Sequence, residues 1–370
     1  MLTVAGILEP IRMRDVELRN RIGLAPMTTY CANNGELSEW HFVHYGARAH
    51  GTGLVIVEAT AVSRDSRVTP HDLGIWNDDF ISPFKRLTRY VEEQGAVCGI
   101  QLSHGGRKAS RTRPHDGDLW LKPQEGGWEV FGPSAIPFSD SYPTPLELTI
   151  TQIEQIKRDF VDSAVRAHKA GFKFIELHAG HGRLFHTFYS PISNQRNDNY
   201  GGSFENRIRL LIEVVKEIRC VWPPEYPLGV RLSCVDWVEN GWSLEDSVLL
   251  SGYLKKYGVD LIDCTSAGII RPLKKDVYAG YQVPFAREIR KKANVMTAAV
   301  GLINSVGQAN EIIENEDADL VLFGRKMLFN PQFALEIANE LKGNNGMIPF
   351  QYQRAYQSMG MRAAELIPEL

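Results

Sequence analysis

The 370-residue chain carries 41 lysines and arginines against 44 acids, is 44% hydrophobic and 23% charged, and so has the composition of an ordinary globular protein. A net charge of −3 gives no electrostatic reason to expect nucleic acid, and no run approaches the roughly 18–20 apolar residues that span a bilayer. One domain or two fit the length, because barrels of repeated β/α units exceed the usual domain size as single bodies.

Short, nearly continuous apolar runs recur along the chain, each after a helical pattern, as expected of strands buried on both faces of a parallel sheet. They fall at Ile22–Ala25, Leu54–Ala59, Val97–Leu102, Phe174–His178, Leu228–Leu232, Leu261–Cys264, Val295–Ala299 and Leu320–Phe323. Several follow a helix ending in glycine, at Gly95, Gly171 and Gly258, where a left-handed residue closes the helix. Eight such units predict an α/β fold, a closed (β/α)8 TIM barrel, with an open doubly wound sheet as the alternative. In a barrel the chemistry sits on loops leaving the strand C-termini, and there the polar residues gather: Thr28 and Tyr30, Gln101 and His104, His178 and His181, Arg231, Gly301, and Gly324-Arg325. After the third strand, residues 110–132 lack a period but hold Trp120 and Trp128, which favour an ordered lid over a disordered excursion. The barrel is expected over 1–343, and the segment 344–370 as a tail packing at a subunit interface.

Cys31, Cys98, Cys220, Cys234 and Cys264 show no C-x-x-C spacing, against an iron–sulfur cluster or disulfide framework and in keeping with a reducing cytoplasm. The start, Met1 to Gly6, lacks a charged region followed by a signal-length apolar stretch, so the chain reads as soluble and unexported, with a small molecule as partner.

Two imidazoles three apart, His178 and His181, at a strand end can converge on one oxygen as paired donors. A zinc pair and two ordinary loop histidines are the rival readings. No third ligand or H-E-x-x-H helix supports metal, and none is expected. Gly301 and Gly324-Arg325 follow the seventh and eighth strands, where barrels often hold a phosphate. Without G-x-G-x-x-G, FMN fits better than FAD or a resident dinucleotide. Arg231 lies inside an apolar strand and needs an anionic partner, either a carboxylate or the N1–C2=O edge of a flavin; Gln101 can bond a flavin's pyrimidine edge.

At these residues the sequence resembles the old yellow enzyme family, most closely its thermophilic-like bacterial subclass. The matching stretches run in order: Asn20-Arg21-Ile22 with Ala25-Pro26-Met27, Val57-Glu58-Ala59, Gln101 to Lys108, His178 to Gly182, Tyr200 to Arg207, and Gly324-Arg325. The resemblance implies FMN, NADPH or NADH as reductant, and ping-pong reduction of the C=C bond of α,β-unsaturated carbonyl or nitro compounds. It puts Ala25, Pro26, Met27, Thr28, Ala59, Gln101, His178, Arg231, Gly301, Gly324 and Arg325 around the flavin. It puts Tyr30, Lys108, His178 and His181 on the substrate, and Arg354 into a neighbouring subunit's site, implying a homodimer or homotetramer. Two departures stand out. Thr28 replaces the subclass's cysteine near the flavin, Cys31 lying three residues too late. Arg183 replaces the family's proton-donor tyrosine, and arginine is a poor acid. The α-carbon proton would then come from water or Tyr30. Arg183 could instead select an anionic substrate, or the reaction could be a redox-neutral isomerisation or a dehydrogenation.

Overall fold

The computed structural model describes residues 6–271, 277–341 and 346–358. The first five residues, and 344–345 and 359–370 of the expected tail, lie outside the described residues.

Eight parallel strands close a barrel: β1 (Ile22–Leu24), β2 (Leu54–Ala61), β3 (Val97–Ser103), β4 (Phe174–Ala179), β5 (Leu228–Ser233), β6 (Leu261–Thr265), β7 (Met296–Ala299) and β8 (Leu320–Phe323). Closure is made where β8 pairs with β1, Val321 opposite Ile22. All eight expected strands are present, and the sheet is closed rather than open. Helices α1 (Glu39–Ala49), α2 (Ile81–Glu93), α3 (Ile150–Lys169), α4 (Phe204–Val221), α5 (Leu244–Lys256), α6 (Val283–Ala293), α7 (Val306–Glu314) and α8 (Phe333–Glu340) ring it. Four begin at hydroxyl caps: Thr149, Ser203, Ser243 and Ser305 each accept the N–H of the residue three along, worth about 1 kcal/mol apiece.

Alternate strand residues face the barrel axis. In the lower half these are apolar: Leu54, Phe174, Leu261 and Leu320 pack with Ile11, Met13, Val16 and Leu18. The last four belong to an antiparallel hairpin, Ile11–Met13 with Val16–Leu18, which seals the barrel base. Its strands are short and each is interrupted by a charge, Arg12 or Glu17, so neither shows an apolar run and this hairpin was not expected.

The excursion after β3 is ordered and runs past Gly132 to Leu148, because the short strand Phe131–Gly132 needs its partner Leu146–Glu147. Trp128 is buried and Trp120 partly exposed. Buried Arg107 donates to the carbonyls of Ile136, Pro137 and Ile269, and Arg111 to Asp118. The Arg67 guanidinium lies between the rings of Trp76 and Trp128, 5.4 and 4.8 Å from their centroids. These contacts tie the excursion to the barrel mouth.

Candidate active site

The mouth is built under strain. Tyr30 and His181 hold φ of +58° and +52°, a left-handed conformation costly for residues with a Cβ and concentrated at functional sites. Gly182 follows with φ +72°, and a Cβ there would collide with the Gly268 carbonyl, so glycine is required. The turn is fixed by buried His186, whose Nδ1 accepts the Gly182 N–H at 2.9 Å. His186 Nε2 is 2.7 Å from Asp236 Oδ1, and Asp236 Oδ2 accepts the Ser190 hydroxyl and the Trp242 N–H.

His178 and His181 lie with ring centroids 5.4 Å apart at 81°. His178 Nδ1 accepts the Gly180 N–H at 3.3 Å, which leaves Nε2–H as its donor. His181 Nε2 is 2.8 Å from Thr265 Oγ1, and Gln282 Nε2 donates to that same oxygen at 3.2 Å. The Thr265 hydroxyl can then give its proton to His181 Nε2 and leave Nδ1–H free. Burial, with Arg231 and Arg183 nearby and, for His178, the His181 ring as well, holds both imidazoles well below their usual pKa. At neutral pH they are neutral donors.

Beneath them a belt of polar side chains crosses the barrel. Gln101 donates to Glu176 at 2.7 Å. Arg231, beside His178 in register, donates to the Pro26 carbonyl at 3.4 Å. Its Nε is 3.0 Å from Asp263 Oδ2, an ion-pair distance without hydrogen-bond alignment. Asp263 thus supplies one of the two anionic partners expected for Arg231. Glu176 Oε2, both Asp263 oxygens and Arg231 Nε have no hydrogen-bond partner. Burial and the neighbouring Asp263 push Glu176 up to about 8, against the opposing pull of Arg231 and Gln101. One cation between two buried acids leaves a proton on the pair.

Glu58, also buried, accepts the N–H and hydroxyl of Thr29 at 2.6 and 2.8 Å and the Tyr45 hydroxyl at 3.1 Å. It anchors the loop carrying Met27, Thr28 and Tyr30. Ala59 sits at a bulge, where the β2–β3 register shifts between Val57 and Thr60, and is partly exposed while its neighbours are buried. Bulges re-aim side chains in this way. Ala25 continues the β1 path, its N–H donating to the Phe323 carbonyl.

Between the ends of β7 and β8, a cleft is lined by Gly301, Leu302, Asn304, Gly324, Arg325 and Lys326. Gly301 has φ +114°, and the cleft offers bare backbone with two cations, the chemistry of a phosphate seat. Lys326 was not expected there.

Lys108 Nζ donates to the His181 carbonyl at 2.9 Å and lies 3.8 Å over the Phe138 ring. Burial, then Arg183 and Arg107, push its ammonium well below the usual range. Burial raises the Tyr30 phenol, with Arg183 opposing. Arg183 is the N-cap of the short helix Leu184–Tyr189. Arg354 is the outlier. It is exposed on the helix Phe350–Ser358, whose Tyr352 ring meets His50 at 5.8 Å. His50 ends α1 at the base of the barrel, opposite the mouth.

Orphaned polar atoms in the barrel, paired imidazole donors above them and a glycine-lined cationic cleft alongside fit the chemistry of a flavin mononucleotide. Fold and site together define a barrel-type flavin oxidoreductase. Residues 6–344 match the NADH:flavin oxidoreductase / NADH oxidase family. The chain is 45% identical over 354 residues to an NADPH dehydrogenase of Geobacillus thermodenitrificans, covering 95% of this chain and 98% of that one. It is 44% identical to an NADPH dehydrogenase of Listeria innocua, covering 96% and 100%. Among solved structures, morphinone reductase superposes with a TM-score of 0.78 at 26% identity, over 91% of this chain and 90% of that one. A 2-naphthoyl-CoA reductase complex shares the fold, with a TM-score of 0.82 at 22% identity; this chain covers 52% of its length. The chain belongs to the NADH:flavin oxidoreductase / NADH oxidase family, the old yellow enzymes. It is accordingly an FMN enzyme that draws reducing equivalents from a nicotinamide nucleotide. No helix among the described residues is long and apolar enough to cross a membrane.

Proposed function

We propose that this protein is an ene-reductase acting on α,β-unsaturated carbonyl or nitro compounds. The observation that carries the proposal is the pair of neutral imidazoles, each with one ring nitrogen engaged by its own scaffold and the other left to donate. When bound, FMN supplies the hydride for the alkene β-carbon after reduction by NADPH or NADH.

The chain's residues do the rest. Pro26, Met27, Thr28, Ala59, Gln101 and Arg231, with Ala25 and His178 at their edge, hold the flavin ring, and Gly301, Gly324 and Arg325 hold its phosphate. His178 and His181 bond the carbonyl or nitro oxygen where negative charge develops, each donor being worth roughly 3–4 kcal/mol. Tyr30, its phenol kept protonated by burial, delivers the α-carbon proton that an arginine at 183 is poorly suited to give. The segment 110–148 acts as the lid over this pocket. Arg354, too far down its own barrel to reach the mouth, serves the site of a neighbouring subunit in a homodimer or homotetramer.

Anaerobic titration tests the proposal. NADPH should bleach the yellow protein, and cyclohexenone should restore the colour at the rate of turnover. Bleaching that enones, nitroalkenes and maleimides all fail to reverse would overturn it.

A further inference from the structure

Two basic side chains at the mouth, Arg183 and Lys108, make no ion pair among the described residues, although Asp72 and Asp118 act on them from a distance. Among the described residues the Arg183 guanidinium makes no hydrogen bond or ion pair, and its Nε is buried. Lys108 finds a carbonyl and an aromatic face but no carboxylate. The nearby acids are occupied. Asp72 accepts the Val68 N–H and the Thr69 hydroxyl, Asp118 is held by Arg111, and Glu58 by Thr29 and Tyr45. Arg107 is spent on three carbonyls. A guanidinium drawn partly out of water without a partner is unfavourable, and its planar fork matches a carboxylate.

The two cations adjoin the oxygen site. Arg183 is two residues from His181, and a Cβ on Gly182 would sit 3.0 Å from Lys108 Nζ. Both imidazoles are also electrostatically coupled to Arg183. An anion bound there can therefore belong to the molecule whose oxygen the histidines hold.

We propose, resting on the ene-reductase reading above, that the alkene reduced here bears a carboxylate beside its activating carbonyl, recognised by Arg183 with Lys108. A dinucleotide phosphate is the other source of a suitable anion, but it lies several bonds away from a nicotinamide ring, whereas the cations abut the reacting oxygen.

The test uses the holoenzyme and alkenes differing by one charge, with the carboxylate next to the activating carbonyl: 6-oxocyclohex-1-ene-1-carboxylate and (E)-2-oxo-4-phenylbut-3-enoate, each against its methyl ester. Wild type should favour the acids in kcat/KM. Arg183→Gln should cut the acid-to-ester ratio about 10- to 100-fold, the span of a charge-assisted hydrogen bond; Lys108→Met should cut it less, and Arg183→Lys should restore part of it. KM for NADPH and NADH should not follow that pattern. Melting temperature should hold or rise in Arg183→Gln, because an unpaired charge is removed. Equal ratios in wild type and Arg183→Gln overturn the inference, as does a loss confined to NADPH, or a lower melting temperature showing that Arg183 has a structural partner. Failure to reduce any of the alkenes, the acids, their esters, neutral enones, nitroalkenes and maleimides alike, would instead remove the ene-reductase reading beneath it.

Discussion

The two ends of this barrel are built on opposite terms. At the base, inward side chains are apolar, a hairpin closes the opening, and charges such as Arg12 and Glu17 stay in water at 62% exposure each. At the mouth, carboxylates, imidazoles and guanidinia are buried, several polar atoms have no partner, and Tyr30 and His181 hold left-handed backbone. Apolar packing seals one end, and the buried polar groups of the candidate site are gathered at the other.

That contrast can be broken by mutation. The largest expected effect on folding lies at the base: Phe174→Ala should cost about 3–5 kcal/mol in urea denaturation, by emptying the lower axis. At the mouth, His178→Ala should lower kcat/KM for cyclohexenone about 100- to 1,000-fold while leaving the urea midpoint near wild type. A midpoint that collapses as far as that of Phe174→Ala would erase the division between the ends. Glu58→Gln keeps the shape but weakens the anchor of Thr29; it should raise KM for enones about tenfold, the scale of one weakened charge-assisted hydrogen bond.

The acid pair gives a signed dependence on pH. Glu176 is raised from 4.5 to about 8 in the fold, so its contribution is fully present below the unfolded value and is lost as pH rises through about 8. Measured against Glu176→Gln, the wild type should lose stability between pH 5 and 8, read as a shrinking difference between the two urea midpoints; a difference that does not change with pH would remove the shift. Least of all, Arg12→Ala at the base should change stability by a few tenths of a kcal/mol, measurable as an almost unmoved midpoint.

The strands were legible because both faces of a barrel strand are covered, so each reads as an apolar run; the limits moved by a residue or two, as where β7 starts at Met296 rather than Val295. The histidine pair and the glycines after β7 and β8 were legible because the fold fixes where loops converge. Glu176 and Asp263 were not singled out, although each interrupts an apolar strand as Arg231 does. One charge in a strand invites a search for a ligand, but only the closed barrel shows three of them meeting across its axis. Gln282 and Thr265 gave no signal, since only the fold brings them from two other elements to His181 Nε2. The excursion outran residue 132 because its second short strand, Leu146–Glu147, is too brief to register.

The sandwich of Arg67 between Trp76 and Trp128 gives the protein an optical consequence. Trp128 belongs to the excursion, whereas Arg67 and Trp76 follow β2, so an outward swing of the excursion would separate an indole from the cation beside it. If the segment opens as the lid proposed above, indole emission should shift, and that movement can be timed in solution without attaching a dye.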